Sequence, residues 1–192
     1  ITPFYRGKFD EISMKKLIKF LDISVDGYIP CLSSGEGKKL SVKEWEAVIN
    51  LVCRATKKPV FAGILRESEK EVFALIQKAN KLLCVGVVVP TLYDTDEGNL
   101  KYLKQVVEIS NKKVLLYNTE EHPLKSVGTL KKIDLFSKIV AVKDSSMNLP
   151  FFTKFVALKK QDKLRMNIFQ GMEHLLLQSA GCSGYVISLL NT

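Results

Sequence analysis

Short apolar runs alternate with amphipathic stretches along this chain, and that alternation limits the fold more than any other feature. Residues 27–31, 59–64, 83–89, 113–117, 139–143, 166–169 and 184–188 are near-continuously apolar. A strand with apolar side chains on both sides is covered on both faces, the condition of a parallel sheet flanked by helices. Between these runs, residues 12–21, 42–54, 69–81, 98–109, 124–135, 149–158 and 172–179 carry apolar side chains at helical period. Ser41-Val42-Lys43-Glu44 is a capping box that opens the second of these helices, and Trp45 just inside it reads as core.

One strand plus one helix takes roughly 25 to 30 residues, which fits βα units wound in one direction. An eighth strand would precede Ile1, because Ile1-Thr2-Pro3-Phe4 reads as a strand end entering a loop. Eight such units make an α/β fold of the (β/α)8 TIM-barrel type, for which about 250 residues is usual. At 192 residues, 1–192 is expected to be a single barrel domain, clipped at both ends, with its first strand and last helix incomplete. An open doubly wound sheet is the alternative, but no Gly-rich dinucleotide turn follows an early strand.

A hydrophobic content of 46% suits one domain with a sizeable core. No apolar run approaches the ~18 residues that span a bilayer. No charged-then-apolar leader opens the chain, so a cytoplasmic location is expected. Cys31, Cys53, Cys84 and Cys182 have no metal-ligand spacing and read as reduced, buried thiols, with Cys31 and Cys84 in strands. The net charge of +9 is spread along helices in pairs such as Lys15-Lys16, Lys38-Lys39 and Lys57-Lys58. That pattern reads as a solvated surface that helps draw in anionic substrates, with no nucleic acid or membrane partner.

In a barrel the reactive residues lie where strands end. Lys143 closes the run 139–143, and Tyr117 closes 113–117. If these are neighbouring parallel strands, an amine and a phenol stand side by side. An ammonium at a dry strand end loses hydration, its pKa falls, and the free amine can attack a carbonyl. A lone strand-end lysine is more often a rim residue. Ser33-Ser34-Gly35-Glu36 follows the run 27–31, and its hydroxyls and N–H groups can form an anion nest. That tripeptide alone is common in surface turns. The joint pattern is more specific: Ser-Ser-Gly-Glu, then Tyr117-Asn118, Lys143-Asp144-Ser145-Ser146, Gly171-Met172-Glu173 and Gly181-Cys182-Ser183-Gly184.

On these motifs the chain resembles, end to end, the pyruvate-dependent class I aldolases typified by dihydrodipicolinate synthase and N-acetylneuraminate lyase, and dihydrodipicolinate synthase most. Ser33-Ser34-Gly35-Glu36 is similar to the family's Gly-Thr-Thr-Gly-Glu loop. Thr2-Pro3-Phe4, Pro59-Val60-Phe61-Ala62-Gly63 and Gly184-Tyr185-Val186-Ile187-Ser188 resemble its first, third and eighth strands. The resemblance implies a lyase that uses no cofactor or metal beyond a covalent imine between pyruvate and Lys143. It implies that Tyr117 is the general acid/base and that Ser33 relays protons. Ser34, with the N–H groups of Ser34 and Gly35, would hold the keto acid's carboxylate. The Ile187 carbonyl and Gly171 would shape the pocket.

The implied reaction condenses pyruvate with aspartate semialdehyde, on the route to lysine and diaminopimelate. The alternatives are a lyase for N-acetylneuraminate or a 2-keto-3-deoxy sugar acid, or a non-catalytic homologue. Homo-oligomers, dimers or tetramers, are implied, and the family's C-terminal helical extension is expected to be absent from 1–192. Two positions depart from the family pattern. His122 stands where an arginine is expected, either as an exposed loop histidine or as a substitute substrate ligand, and imidazole lacks a guanidinium's bidentate grip. Tyr93, in Pro90-Thr91-Leu92-Tyr93, is the candidate for the relay's second tyrosine after a one-residue shift, the alternative being that Leu92 takes the position and breaks the relay.

Overall fold

The structure is a computed structural model that describes residues 1–188. The chain forms two compact units, one of Ile1–Val88 with Ser188 and one of Val89–Ile187.

The first unit opens with an antiparallel hairpin, β1 (Phe4–Tyr5) and β2 (Lys8–Phe9). This corrects the expected strand end entering a loop. Arg6 and Gly7 are both left-handed, with φ of 48° and 74°, the conformation of a two-residue hairpin turn. Helix α1 (Glu11–Leu21) starts on the Asp10 carboxylate, which accepts from the N–H groups of Ile12 and Ser13 at 3.0 Å. Helix α2 (Val42–Ala55) has the expected capping box. Trp45 is fully buried, and its Nε1 donates to the Gly63 carbonyl at 2.7 Å.

The apolar run 27–31 forms only a single parallel bridge, between Tyr28 and Val60. Its polar partners hold it in place: the Asp22 carboxylate accepts from Tyr28 at 3.0 Å and from Thr56 at 2.6 Å. Strand β3 (Phe61–Gly63) pairs in parallel with β4 (Gly86–Pro90), Gly63 opposite Val88, and α3 (Glu69–Ala79) connects them.

The second unit continues the alternation with α4 (Asp96–Ile109), β5 (Lys113–Asn118), α5 (Val127–Asp134), β6 (Ile139–Asp144), α6 (Leu149–Lys160), β7 (Asn167–Gln170) and β8 (Gly184–Tyr185). Strands β5 to β8 are parallel neighbours in chain order. All of β5 except Lys113 is buried. Val114 pairs with Ile139 and Leu115 with Ala141, so Val140 is an extra residue, a bulge at the start of β6. Above it the pairs are Leu116–Val142, Tyr117–Lys143 and Asn118–Asp144.

Three other sequence expectations are corrected. Residues 172–179 form two 3-10 turns, Glu173–Leu175 and Leu177–Ser179, and not a helix. Leu175, Leu176 and Leu177 are consecutive, so they give no helical stripe, and neither turn has a side-chain cap. Cys31 and Cys84 are buried but lie outside strands, Cys31 in a turn with φ of 63°, and Cys53 and Cys182 are only half-buried. Lys38-Lys39 and Lys57-Lys58 lie outside the helices, and not every lysine is a solvated charge. The Lys58 ammonium donates to the carbonyls of Asp22 and Val25. Among the described residues no helix is long and apolar enough to cross a membrane.

Candidate active site

The strand register brings the amine and the phenol together. Tyr117 and Lys143 are register partners on β5 and β6, so their side chains leave the sheet on the same face. Lys143 is 7% exposed, and its Nζ sits 4.4 Å from the centre of the Tyr117 ring. An ammonium over a ring face is attracted by the ring's quadrupole. Burial dominates nonetheless and brings the amine down from 10.5 to about 8, while the negative charge of Glu173 opposes that fall. A lowered value raises the share of free amine near neutral pH, the form that can attack a carbonyl.

Gly171 lies directly beside this amine. A Cβ there would stand 2.2 Å from Ser145 Oγ and 2.4 Å from Lys143 Cε, so no other residue fits without moving the lysine. The Gly171 N–H donates to the Asp144 carbonyl at 2.8 Å, which holds β7's exit against β6. Ser145 is buried, and its hydroxyl has no hydrogen-bond partner among the described residues. Buried hydroxyls are nearly always paired, so this one is left for water or a ligand.

On the opposite face, Asn118 and Asp144 also face each other. Asn118 Nδ2 donates to Asp144 Oδ2 at 2.6 Å, and both side chains are buried. Burial raises the Asp144 carboxyl above its usual range, and the bonds from Asn118 and Ser146 work against that rise.

The remaining predicted residues fall as follows. The His122 N–H donates to Thr119 Oγ1 at 3.2 Å, and its ring Nδ1 lies 2.8 Å from Asp94 Oδ1. The imidazole is thus engaged by an exposed carboxylate. The Tyr93 ring packs 6.3 Å from that of buried Tyr102 and directly over Gly98. Ile187 is half-buried just past β8, where the neighbouring Val186 N–H donates to the Gln170 carbonyl at 2.9 Å.

Ser33, Ser34 and Gly35 belong to the first unit. They form a tight turn between left-handed Cys31 and Glu36, and both serines are exposed. The Glu36 N–H donates to the Ser33 carbonyl at 3.0 Å, and the Gly35 carbonyl accepts from Thr2 Oγ1 at 2.7 Å. A Cβ on Gly35 would lie 2.8 Å from the Cys31 nitrogen, so the turn's closeness requires glycine there.

Sequence reasoning gave no roles to Asn118, Asp144, Ser145 and Glu173. Each stands inside a quoted motif, one or two residues from an assigned one. Their signal was position next to a strand end, and the register needed to use it was missing. Among the described residues no group of three or more His, Cys, Asp or Glu side chains is placed to hold a metal ion.

Residues 1–192 match the dihydrodipicolinate synthetase family. A 4-hydroxy-tetrahydrodipicolinate synthase of Thermodesulfovibrio yellowstonii is 26% identical over 97% of the chain. A 2-dehydro-3-deoxy-D-gluconate/2-dehydro-3-deoxy-phosphogluconate aldolase of Picrophilus torridus is 30% identical over the whole chain. The crystal structure of dihydrodipicolinate synthase from Aquifex aeolicus superposes on the whole chain with a TM-score of 0.86 at 25% identity. The chain spans 66% of the first protein's length, 74% of the second's and 68% of the third's. By its sequence along its full length, this chain belongs to the dihydrodipicolinate synthetase family.

Proposed function

We propose that the protein is a Schiff-base lyase of the class I aldolase type, with Lys143 as the amine that condenses with pyruvate. The observation that carries this reading is one buried lysine, depressed to about 8, against the ring of Tyr117. The free amine adds to the keto carbon and water leaves. The protonated imine then withdraws electrons from C3, so a C3 proton can be taken and an enamine formed. Tyr117 is the group that moves protons in these steps, and Gly171 keeps space for the keto acid beside the amine. The family motif assigns Ser34 and Gly35 to the keto acid's carboxylate and Ser33 to the proton relay. The exposed hydroxyls of that turn support the assignment.

The likeness to barrel enzymes supports a (β/α)8 barrel as the architecture of the whole protein, as one domain. A cytoplasmic dimer or tetramer is the assembly that the family resemblance favours.

Two aldehydes fit as the second substrate. Aspartate semialdehyde, on the lysine and diaminopimelate route, is favoured by relatives named 4-hydroxy-tetrahydrodipicolinate synthase. A sugar-derived hydroxyaldehyde, the partner in cleavage of a 2-keto-3-deoxy sugar acid, is favoured by a specific observation. His122, at the position of the missing arginine, is already engaged by Asp94, which leaves it a poor grip for a carboxylate. The aldolase of Picrophilus torridus is consistent with that second reading.

Borohydride reduction in the presence of pyruvate tests the core of the proposal. Full-length protein should gain the mass of a reduced pyruvate adduct on Lys143, and Lys143→Ala should gain none. No adduct on the wild type would leave the non-catalytic homologue as the better description. Turnover with aspartate semialdehyde against glyceraldehyde then separates the two acceptors.

A further inference from the structure

We infer that Asn118 and Asp144 form a positioning pair that holds the Tyr117 phenol and the Lys143 amine side by side. The inference rests on the proposed imine chemistry for its meaning, though not for its geometry. The two pairs occupy consecutive register positions of β5 and β6, Tyr117 with Lys143 and Asn118 with Asp144. Successive side chains of a strand point to opposite faces. Asn118 and Asp144 therefore lie directly behind the reactive pair and touch neither of its working atoms.

Every polar atom of this second pair is used. Asn118 Nδ2 donates to Asp144 Oδ2 at 2.6 Å, and Asn118 Oδ1 accepts the Leu124 N–H at 2.8 Å. Asp144 Oδ1 accepts from the Ser146 hydroxyl at 3.0 Å and from the Ser146 N–H at 3.3 Å. The backbone continues the clasp: the Asn118 carbonyl accepts the Ser145 N–H at 2.9 Å, and the Asp144 carbonyl accepts the Gly171 N–H at 2.8 Å. One amide and one carboxylate thus tie together the ends of β5 and β6 and the two loops that leave them.

A buried network with each donor and acceptor matched fixes one arrangement and penalises others. The fixing matters here because a parallel pair carries the bulge at Val140, and register above a bulge needs its own anchor. Glu173 is the acid whose charge opposes the fall of the amine's pKa, while both Asp144 oxygens are taken up by Asn118 and Ser146. Asp144 acts by placement.

A swap experiment tests this. Asn118→Asp sets two carboxylates against each other in the space of one hydrogen bond. The strand ends should then separate, and pyruvate-imine trapping at saturating pyruvate should slow by about 10- to 100-fold, the scale of a misplacement of about 1 Å. The KM for pyruvate should change little. The double variant Asn118→Asp with Asp144→Asn restores each donor to an acceptor and should recover trapping to near the wild-type rate.

Reductive methylation of Lys143 with formaldehyde and cyanoborohydride, read by mass spectrometry across pH, reports the amine's setting without any pyruvate chemistry. The wild type and the swap should share one labelling midpoint, and Asn118→Asp should have a higher one. A wild type that methylates normally but never traps pyruvate would sink the proposed function while leaving this inference open to the methylation test. Asn118→Asp behaving as wild type in both assays overturns the inference. A swap that stays slow, or does not fold, overturns it too. If Asn118→Asp itself does not fold, the swap alone decides.

Discussion

Lys138 and Lys143 sit five residues apart at the two ends of β6, and they are held in opposite ways. Lys138, just before the strand, donates to the carbonyls of Val107 and Ser110 at 2.7 and 2.6 Å. Those carbonyls lie at the carboxyl end of α4, where the helix dipole favours a cation. Lys143, near the strand's far end, faces the ring of Tyr117 and is brought down to about 8 by burial. One ammonium is solvated by protein, and the other is short of solvation. The first arrangement stabilises the fold, while the second destabilises it and leaves an amine ready to react. The same residue type thus serves as a structural tie or, as proposed for Lys143, as a nucleophile, according to how many acceptors surround it.

The contrast breaks most visibly at Gly171. Gly171→Ala forces a Cβ into the space of Lys143 Cε and Ser145 Oγ. The expected result is a fall of about 100-fold in pyruvate trapping, since small displacements of reacting groups cost that much. Circular dichroism should show the fold retained. Wild-type trapping in this variant would mean the amine has room that the structure does not give it.

Paired stability measurements sharpen the comparison further. For Lys143, the change from 10.5 to about 8 corresponds to about 3 kcal/mol at 1.36 kcal/mol per pH unit. Between those two values the unfolded chain holds a proton that the folded chain lacks. Wild-type stability should therefore rise with pH across that window, and the full cost is present below pH 8. Lys143→Met removes the cost and should raise stability at pH 7 by up to about 3 kcal/mol, with no rise between pH 8 and 10. Lys138→Met should instead lower stability by about 1 to 2 kcal/mol through two lost charged hydrogen bonds. Urea titrations at pH 7 and 9.5 read both, and matching signs for the two variants would dissolve the contrast.

The smallest effect is expected at Glu173, whose charge supports the protonated amine. Glu173→Gln should move the pH midpoint of Lys143 methylation downward. An unchanged or higher midpoint would show that the Glu173 charge does not support the protonated amine.

Much of this was legible from sequence because the relevant physics is local. The capping box at Ser41 and the core role of Trp45 follow from spacing alone, and so does the run of buried strands. Lys143 and Tyr117 were legible for the same reason, since each ends an apolar run. The N-terminal hairpin was not, because Arg6 supplies a left-handed turn residue that propensity assigns to glycine or asparagine. The Asn118–Asp144 clasp and the Ser145 hydroxyl were hidden for another reason. They depend on which residue of β5 stands opposite which residue of β6, and the bulge at Val140 shifts that by one. Hydrophobic pattern marks a strand and leaves its register open. The contact of His122 with Asp94 is hidden too, because the two lie 28 positions apart in the chain.

That bulge also gives β6 the property of a rod with an expansion joint. Below Val140 the strand is anchored by Lys138 and the α4 carbonyls, and above it by the clasp behind the reactive amine. A surplus residue between two anchors lets each keep its own best length. Movement or substitution in the foundation can then be absorbed at the joint before it reaches the amine. The amine's placement then depends on the upper anchor, the Asn118–Asp144 clasp.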